Sequence, residues 1–120
     1  MGWFSQEKKE LEWEQLTELS QFEDAFLGAT PTIVFKHSTR CSISNMALKR
    51  FESNWENHQT VQLMMLDLLN FRAISNEIAT ITGVEHQSPQ LLLVHHGKVH
   101  YHQSHNGIDI AAIKAILKNH

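Results

Sequence analysis

Apolar residues recur along the chain with two different periods, and their alternation predicts an α/β protein. Stretches with an apolar residue at every third or fourth position are typical of helices that bury one face. Short, nearly unbroken apolar runs are instead typical of strands buried on both faces. From about residue 16 onward the two patterns alternate. The predicted order is helix, strand, helix, strand, helix, strand, strand and helix.

Boundary residues support this division of the chain. The first predicted helix starts at Leu16 and stops at Gly28, and the third stops at Gly83, because glycine commonly ends a helix. Residues 3 to about 15 mix aromatic and charged residues and are predicted to be a packed lead-in segment without chemistry. The predicted helices cover 16–28, 42–55, 71–83 and 107–120, and the predicted strands cover 30–37, 60–69 and two stretches within 88–105 around a tight turn at 96–98.

The order of the elements also predicts how the strands pair. Two strands separated by a helix pair most readily in parallel through a right-handed crossover. The last two strands are close enough in the chain to form an antiparallel hairpin. We therefore expect a mixed four-stranded sheet, built from a βαβ unit and a ββα unit, flanked by helices and preceded by an extra N-terminal helix. Residues 1–120 are expected to form a single domain.

Composition narrows the classes of function. The formal net charge is −3, and this argues against a nucleic-acid-binding protein, which normally carries a basic patch. The N-terminal segment has no apolar run long enough for a signal peptide, and no stretch reads as a transmembrane helix. One cysteine excludes an intramolecular disulfide. A reducing, cytoplasmic location without membrane or nucleic-acid partners is the simplest expectation.

That one cysteine, Cys41, follows the first predicted strand and precedes the second predicted helix. Unpaired backbone N–H groups and the helix dipole stabilise an anion at a helix N-terminus, so we expect the side chain to be present as thiolate near neutral pH. Arg40 can add positive charge, as can His37 if it is protonated. A thiolate is the form that attacks disulfides.

Ser44 lies three residues after the cysteine. In a two-cysteine redox site the second thiol occupies this position and resolves the mixed disulfide. A serine can donate a hydrogen bond to the thiolate but cannot resolve a disulfide. The chemistry predicted for Cys41 is therefore one-thiol chemistry, in which an outside thiol completes each cycle.

A second feature is Ser88-Pro89, at the head of the third predicted strand, where proline is tolerated. If the peptide bond is cis, the turn exposes backbone beside the cysteine, and an extended substrate could pair there like an added strand. The residues alone slightly favour a trans bond, because cis is the minority form.

These features resemble a known family. The stretches "FKHSTRCSIS" and "SPQLLLVHHGKVHYHQSH" are similar to those of the monothiol bacilliredoxins, which are general-stress thioredoxin-like proteins. The resemblance covers nearly the whole chain from about residue 12. It implies a thioredoxin-like fold, Cys41 as the active-site cysteine, Ser44 as the serine of the motif and Pro89 as a cis-proline.

The resemblance also implies an activity, which is removal of bacillithiol from mixed disulfides on cytosolic proteins. Bacillithiol would be a co-substrate, with no cofactor bound permanently, and a recycling redoxin or reductase could be a further partner. Arg40 joins Cys41 and Ser44 as a predicted catalytic residue. One position departs from the family pattern, since Ser42 stands where proline is usual. The residues expected to contact substrate are Thr39, Ser42, Ser88, Pro89, Ser104 and His105.

Bacillithiol carries a malyl group, so its recognition requires a site for carboxylates. The loop Ser104-His105-Asn106-Gly107 is predicted to open the last helix, and a helix N-terminus is a natural anion site. We therefore expect its N–H groups, with His105, to hold these carboxylates. Equally compatible with the sequence is an ordinary helix start capped by Asn106.

Three other interpretations remain open. Histidines 95, 96, 100 and 102 lie in the predicted hairpin and could bind a metal with Cys41, although their spacing fits no standard zinc pattern and solvated side chains are the simpler interpretation. One-thiol redoxins can also hold an iron–sulfur cluster between two subunits. The third interpretation is a non-catalytic, stress-related interaction module.

Overall fold

The computed structural model describes residues 11–55 and 60–118. Within them a mixed sheet with the strand order β1-β3-β2-β4-β5 is covered by helices on both faces. The strands are β1 (Glu14–Gln15), β2 (Thr32–His37), β3 (Gln62–Asp67), β4 (Gln90–His95) and β5 (Lys98–Ser104). The helices are α1 (Leu19–Leu27), α2 (Ser42–Asn54), α3 (Arg72–Thr82) and α4 (Ile110–Lys118), with a 3-10 turn at His105–Gly107.

The strand pairings agree with the predicted topology. β2 pairs in parallel with β3, while β4 pairs antiparallel with β2 and with β5. The carboxyl end of β2 therefore lies at the same edge of the sheet as the beginning of β4. Since α2 follows β2 directly, its first turn is placed at that edge too.

The prediction of four strands was wrong by one. Glu14–Gln15 pairs in parallel with Met64 and Met65 of β3, and this adds a fifth strand at the outside of the sheet. The N-terminal helix is present, but it starts at Leu19 and not at Leu16 because the chain is still extended beside β3. Most of the predicted lead-in segment, residues 3–10, lies outside the described residues.

Each face of the sheet is covered by its own apolar cluster. Phe35 and Leu93 face α2 and α4, where they pack with Phe51 and Ile113. Val34, on the opposite face of β2, packs in the cluster formed with α1 and α3. The alternation along β2 also determines where its last polar residues lie. The His37 side chain lies on the face of the sheet that α2 covers, where its ring is edge-on to the ring of Phe35.

The β4–β5 hairpin is as tight as the sequence predicted. Its two turn residues, His96 and Gly97, both have positive φ, which is the pattern of the two-residue turns that suit twisted strands. Their N–H groups donate to the carbonyl oxygens of Gly28 and Phe26 at 2.9 and 2.7 Å. The hairpin is thereby attached to the end of α1. None of the helices in residues 11–55 and 60–118 is long and apolar enough to cross a membrane.

Candidate functional site

Cys41 lies at the N-cap of α2, as predicted. Its backbone is extended, with φ −104° and ψ 120°, and its side chain makes no capping hydrogen bond. The Cys41 N–H donates to Ser38 O at 3.1 Å, and the Asn45 N–H donates to Cys41 O at 3.0 Å. The thiol is half-buried. The sulfur therefore sits at the start of a 13-residue helix, the end at which the helix dipole is positive.

The loop before α2 holds the predicted polar neighbours of the thiol. Thr39 and Arg40 form an exposed turn, and Ser42 is the first residue of the helix, also exposed. The Asn45 side-chain N–H donates to Thr39 O at 3.1 Å, which fixes this turn against the first turn of α2. Arg40 and Ser42, the neighbours of Cys41 in the sequence, are therefore exposed beside a turn that is fixed at Thr39.

Ser44 points into the protein. Its side chain is 0% exposed, and its Oγ lies 2.6 Å from Nδ1 of His37 and 3.1 Å from the Ser38 nitrogen, whose N–H it accepts. Among the described residues no hydrogen bond joins it to Cys41. Its stabilisation of the thiolate stays a prediction, and the observed partner of its hydroxyl is His37.

His37 is the residue that the predicted set of site residues left out. Burial lowers its pKa below the usual value of 6.5, against the opposing effects of the carboxylates of Asp67 and Glu52. The ring is therefore neutral at pH 7 and adds no positive charge beside the thiol. Its position at the end of β2 was visible in the sequence, but its bond to a serine seven residues later was not.

The predicted proline loop lies at the same edge of the sheet. The Ser88-Pro89 peptide bond is cis, as the resemblance implied, and Pro89 is buried while Ser88 is half-buried. In the register of β2 with β4, Lys36 pairs with Gln90, so Pro89 stands beside the end of β2 from which the chain continues to Cys41.

Ser104 and His105 complete this edge. Ser104 pairs with Gln90 across β4 and β5, and the His105 N–H donates to Pro89 O at 3.1 Å. The His105 carbonyl oxygen accepts a hydrogen bond from Nη2 of Arg50 at 3.3 Å. All the predicted site residues therefore lie at one end of the sheet, in the β2–α2 connection and first turn of α2, in the segment that leads into β4, and at the end of β5. The roles given to them remain predictions.

The prediction that this loop opens the last helix was wrong. Residues 105–107 form a 3-10 turn, and α4 is capped by Asp109, whose Oδ1 accepts the Ala111 N–H at 3.0 Å. Asn106 is therefore not the cap. Since a carboxylate already occupies the N-terminus of α4 and the His105 N–H is donated to Pro89, binding of carboxylates here would depend on the side chains of His105 and Arg50.

Opposite the thiol, the other face of the sheet carries a buried polar cluster. Lys36 is 0% exposed, and its Nζ lies 3.5 Å from Ser75 O. Burial, reinforced by Arg72, lowers its pKa to about 8. The Ser75 hydroxyl lies 2.8 Å from Nδ1 of His86, whose pKa is lowered by burial and then by Lys36 and Arg72. Lys36 and Arg72 thus bring two basic side chains together on the face of the sheet opposite α2, a feature that sequence alone did not indicate.

The hairpin histidines lie away from Cys41. His95 Nδ1 and His100 Nε2 are 3.0 Å apart, at the end of β4 that adjoins the start of β2. Cys41 lies at the other end of β2, so it cannot share a metal with them. In residues 11–55 and 60–118, no three side chains of His, Cys, Asp or Glu are arranged to hold a metal ion.

The fold and the site define a thioredoxin-like protein with one thiol at the start of its second helix. Residues 13–113 match the family model described as monothiol bacilliredoxin BrxC, and the chain belongs to this family. The family supports a redox function based on a thiol.

Solved structures confirm the fold. A protein described as a candidate oxidoreductase with a thioredoxin fold is 26% identical, with a TM-score of 0.74 over 86% of this chain and 91% of that one. Thioredoxin from Malassezia sympodialis is 14% identical, with a TM-score of 0.71 over 95% and 96%. Thioredoxin from Trypanosoma brucei brucei is 16% identical, with a TM-score of 0.69 over 92% of each chain.

Proposed function

We propose that the protein is a thiol–disulfide oxidoreductase that removes bacillithiol from mixed disulfides on cytosolic proteins by a monothiol mechanism. The observation that carries this proposal is the position of Cys41. It is the only cysteine of the sequence, it is half-buried at the N-cap of α2, and it follows the end of β2 beside which Pro89 lies. Membership of the bacilliredoxin family supports the choice of the small thiol.

In the first step the Cys41 thiolate attacks the bacillithiol sulfur of the modified protein. A disulfide forms between Cys41 and bacillithiol while the disulfide to the substrate protein breaks. The substrate cysteine leaves as a thiolate and takes a proton from solvent. The substrate protein is thereby reduced, and Cys41 carries the small thiol.

In the second step an outside thiol regenerates the protein. A second bacillithiol thiolate attacks the bacillithiol sulfur on Cys41, which releases the Cys41 thiolate and bacillithiol disulfide. The electrons that reduce the substrate cysteine come from the attacking bacillithiol sulfur, since the sulfur carried on Cys41 is part of a disulfide before and after this step. A recycling redoxin or reductase can supply the attacking thiol instead. With Ser44 where a second cysteine would stand, resolution from within the chain is impossible.

The loops around the sulfur supply substrate contacts. Arg40 provides positive charge next to the thiolate, and Thr39 and Ser42 offer polar groups at the exposed entrance. Extended backbone of the substrate protein pairs with the segment Ser88–Pro89, in the manner of an added strand. Since the Pro89 carbonyl already accepts the His105 N–H, Ser88 provides the pairing groups.

The carboxylates of bacillithiol are held by the cationic groups beside this edge. Arg50 donates to the His105 carbonyl oxygen, and this keeps its guanidinium next to the exposed imidazole of His105. A guanidinium can bind a carboxylate through two N–H groups. We expect His105→Ala with Asn106→Ala to weaken turnover at low bacillithiol concentration. Unchanged turnover across thiol concentrations would remove this loop from the proposal.

The proposal is tested by mixing the reduced protein with a bacillithiol-modified substrate protein and weighing the intact products by mass spectrometry. We expect a bacillithiol adduct on Cys41 together with the reduced substrate, and neither product with Cys41→Ser. A glutathione-modified substrate serves as the control for selectivity. No adduct with either substrate, from a Cys41 that still reacts with iodoacetamide, would contradict the exchange mechanism.

A further inference from the structure

The buried hydroxyl of Ser44 is bonded to a histidine ring and lies in the same helix turn as the reacting cysteine. The distance between Ser44 Oγ and Nδ1 of His37 is 2.6 Å. Cys41, the N-cap residue of the helix, stands three positions before Ser44. The Ser38 N–H donates to the same oxygen at 3.1 Å. The hydroxyl is 0% exposed, so its partners are set by the protein.

A count of donors and acceptors shows that this arrangement has two states. A serine hydroxyl has one proton to donate and two lone pairs. The Ser38 N–H occupies one lone pair in both states. When His37 Nδ1 is unprotonated, Ser44 donates its proton to the ring. When Nδ1 carries a proton, the ring donates to Ser44, and the hydroxyl proton is left for a third group.

Cys41 is the group that can take that proton. Residues three apart lie on the same side of a helix, and Ser44 is the third helical residue after the N-cap residue Cys41. The sulfur of Cys41 makes no capping hydrogen bond, so it is free to accept one. A thiolate is a much better acceptor than a thiol. The state with a protonated Nδ1 therefore suits the ionised cysteine.

We propose that His37 is a positioning residue that acts on Cys41 through Ser44, because the tautomer of its ring decides whether the Ser44 hydroxyl is turned to the imidazole or to the sulfur. When Cys41 ionises, its proton leaves to solvent, and the ring exchanges protons with solvent, releasing one from Nε2 and taking one up at Nδ1. The hydroxyl proton then turns from the ring to the thiolate. This inference rests on the proposed function only in taking Cys41 as the reacting thiol.

The surroundings of the His37 ring favour its neutral form, so the two states differ in tautomer and not in charge. Asp67 of β3 and Glu52 of α2 are the carboxylates that act on the ring. Their charges favour an imidazolium, but burial is the larger effect and lowers the pKa of His37. At neutral pH the ring is uncharged in both states. No net charge has to be buried when the hydroxyl turns.

The test compares Ser44→Ala and His37→Phe by the ultraviolet absorbance of the thiolate as a function of pH. Ser44→Ala removes a donor to the sulfur, so the ratio of thiolate to thiol at fixed pH should fall roughly three- to tenfold. His37→Phe removes the competitor for the hydroxyl proton, so the ratio should rise. In the double variant the His37 change should have no further effect.

A matched control exists on the other face of the sheet. Ser75 and His86 form the same kind of bond, at 2.8 Å, without contact to Cys41. His86→Phe should leave the thiolate titration unchanged. A His37 that only packs would make His37→Phe and Ser44→Ala shift the titration in the same direction, and that result would overturn the proposal.

A second measurement holds even if His37→Phe fails to fold. Nitrogen-15 NMR of the wild-type ring should show Nδ1 protonated when Cys41 is ionised and Nε2 protonated after alkylation of Cys41. The same tautomer in both forms would also overturn the proposal. Neither measurement uses bacillithiol, so its outcome is independent of the transfer assay that tests the proposed function.

Discussion

Replacing the buried Lys36 by methionine should make the protein more stable at neutral pH. Lys36 is 0% exposed and makes one long hydrogen bond, to Ser75 O at 3.5 Å. Burial is the main reason why its pKa falls from 10.5 to about 8. A difference of this size between the unfolded and folded states corresponds to roughly 3 kcal/mol of destabilisation at neutral pH. Methionine has a similar length and no charge to desolvate.

The sign of the pH dependence follows from the same shift. Between about pH 8 and the unfolded value of 10.5, the unfolded chain binds more protons at Lys36 than the folded protein does. The free energy of unfolding therefore rises with pH in that window. From pH 7 to pH 9.5 we expect wild type to gain about 2 kcal/mol, and Lys36→Met to gain much less. At pH 7 the variant should be more stable by about 1–3 kcal/mol.

The assay is urea unfolding followed by tryptophan fluorescence, under reducing conditions, at several pH values up to about 9.5. Higher pH is avoided because burial raises the pKa of Tyr101, whose ionisation would lower stability there. Lys49→Met, an exposed position on α2, is the control and should follow wild type. A less stable Lys36→Met at pH 7, with a wild type whose stability is flat over this range, would refute the reasoning from burial.

Three further changes test the end of α3, the cap of α4 and the apolar core. Gly83 has φ 73°, and an added methyl group would meet open space. Gly83→Ala should therefore lower the free energy of unfolding by about 1 kcal/mol through backbone strain alone. An unchanged melting temperature would argue against this backbone conformation. Asp109→Ala removes the cap of α4 and should lower the free energy of unfolding by about 1 kcal/mol. Asn106→Ala is the control and should change it by no more than about 0.5 kcal/mol in the same thermal unfolding experiment. Equal losses would mean that Asp109 is not the cap. Phe51→Ala should lower the free energy of unfolding, measured with urea, by about 3–5 kcal/mol, whereas Met46→Ala at an exposed position should change it little. A small loss for Phe51→Ala would show that the core around this ring can collapse into the space left by it.

Most of the fold follows from local pattern. The helices and the four longer strands each contain enough residues for an apolar period to be visible. β1 could not be found in this way, because two residues show no period and both are exposed. Its existence depends on pairing with Met64 and Met65, which is a contact across 50 residues of chain. The start of α1 was misplaced for the same reason.

The site was predictable where it depends on position along the chain. A cysteine between a strand and a helix must lie at a helix start, and the structure has Cys41 there. The cis bond before Pro89 followed from the family resemblance, while the residues alone favoured trans. The bond between His37 and Ser44 depends on how a ring and a hydroxyl are oriented across a loop. Sequence contains no periodic signal for such a contact.

The outer strands of the sheet bear on how the protein behaves at high concentration. In the part of the chain that the structure describes, β1 pairs with Met64 and Met65 of β3. β5 opens with the exposed Lys98 and pairs with β4 through an irregularity between Leu93 and Val94. Short edges, lysine and bulges hinder the edge-to-edge pairing that starts aggregation. The reduced protein should therefore tolerate crowding without forming intermolecular sheets.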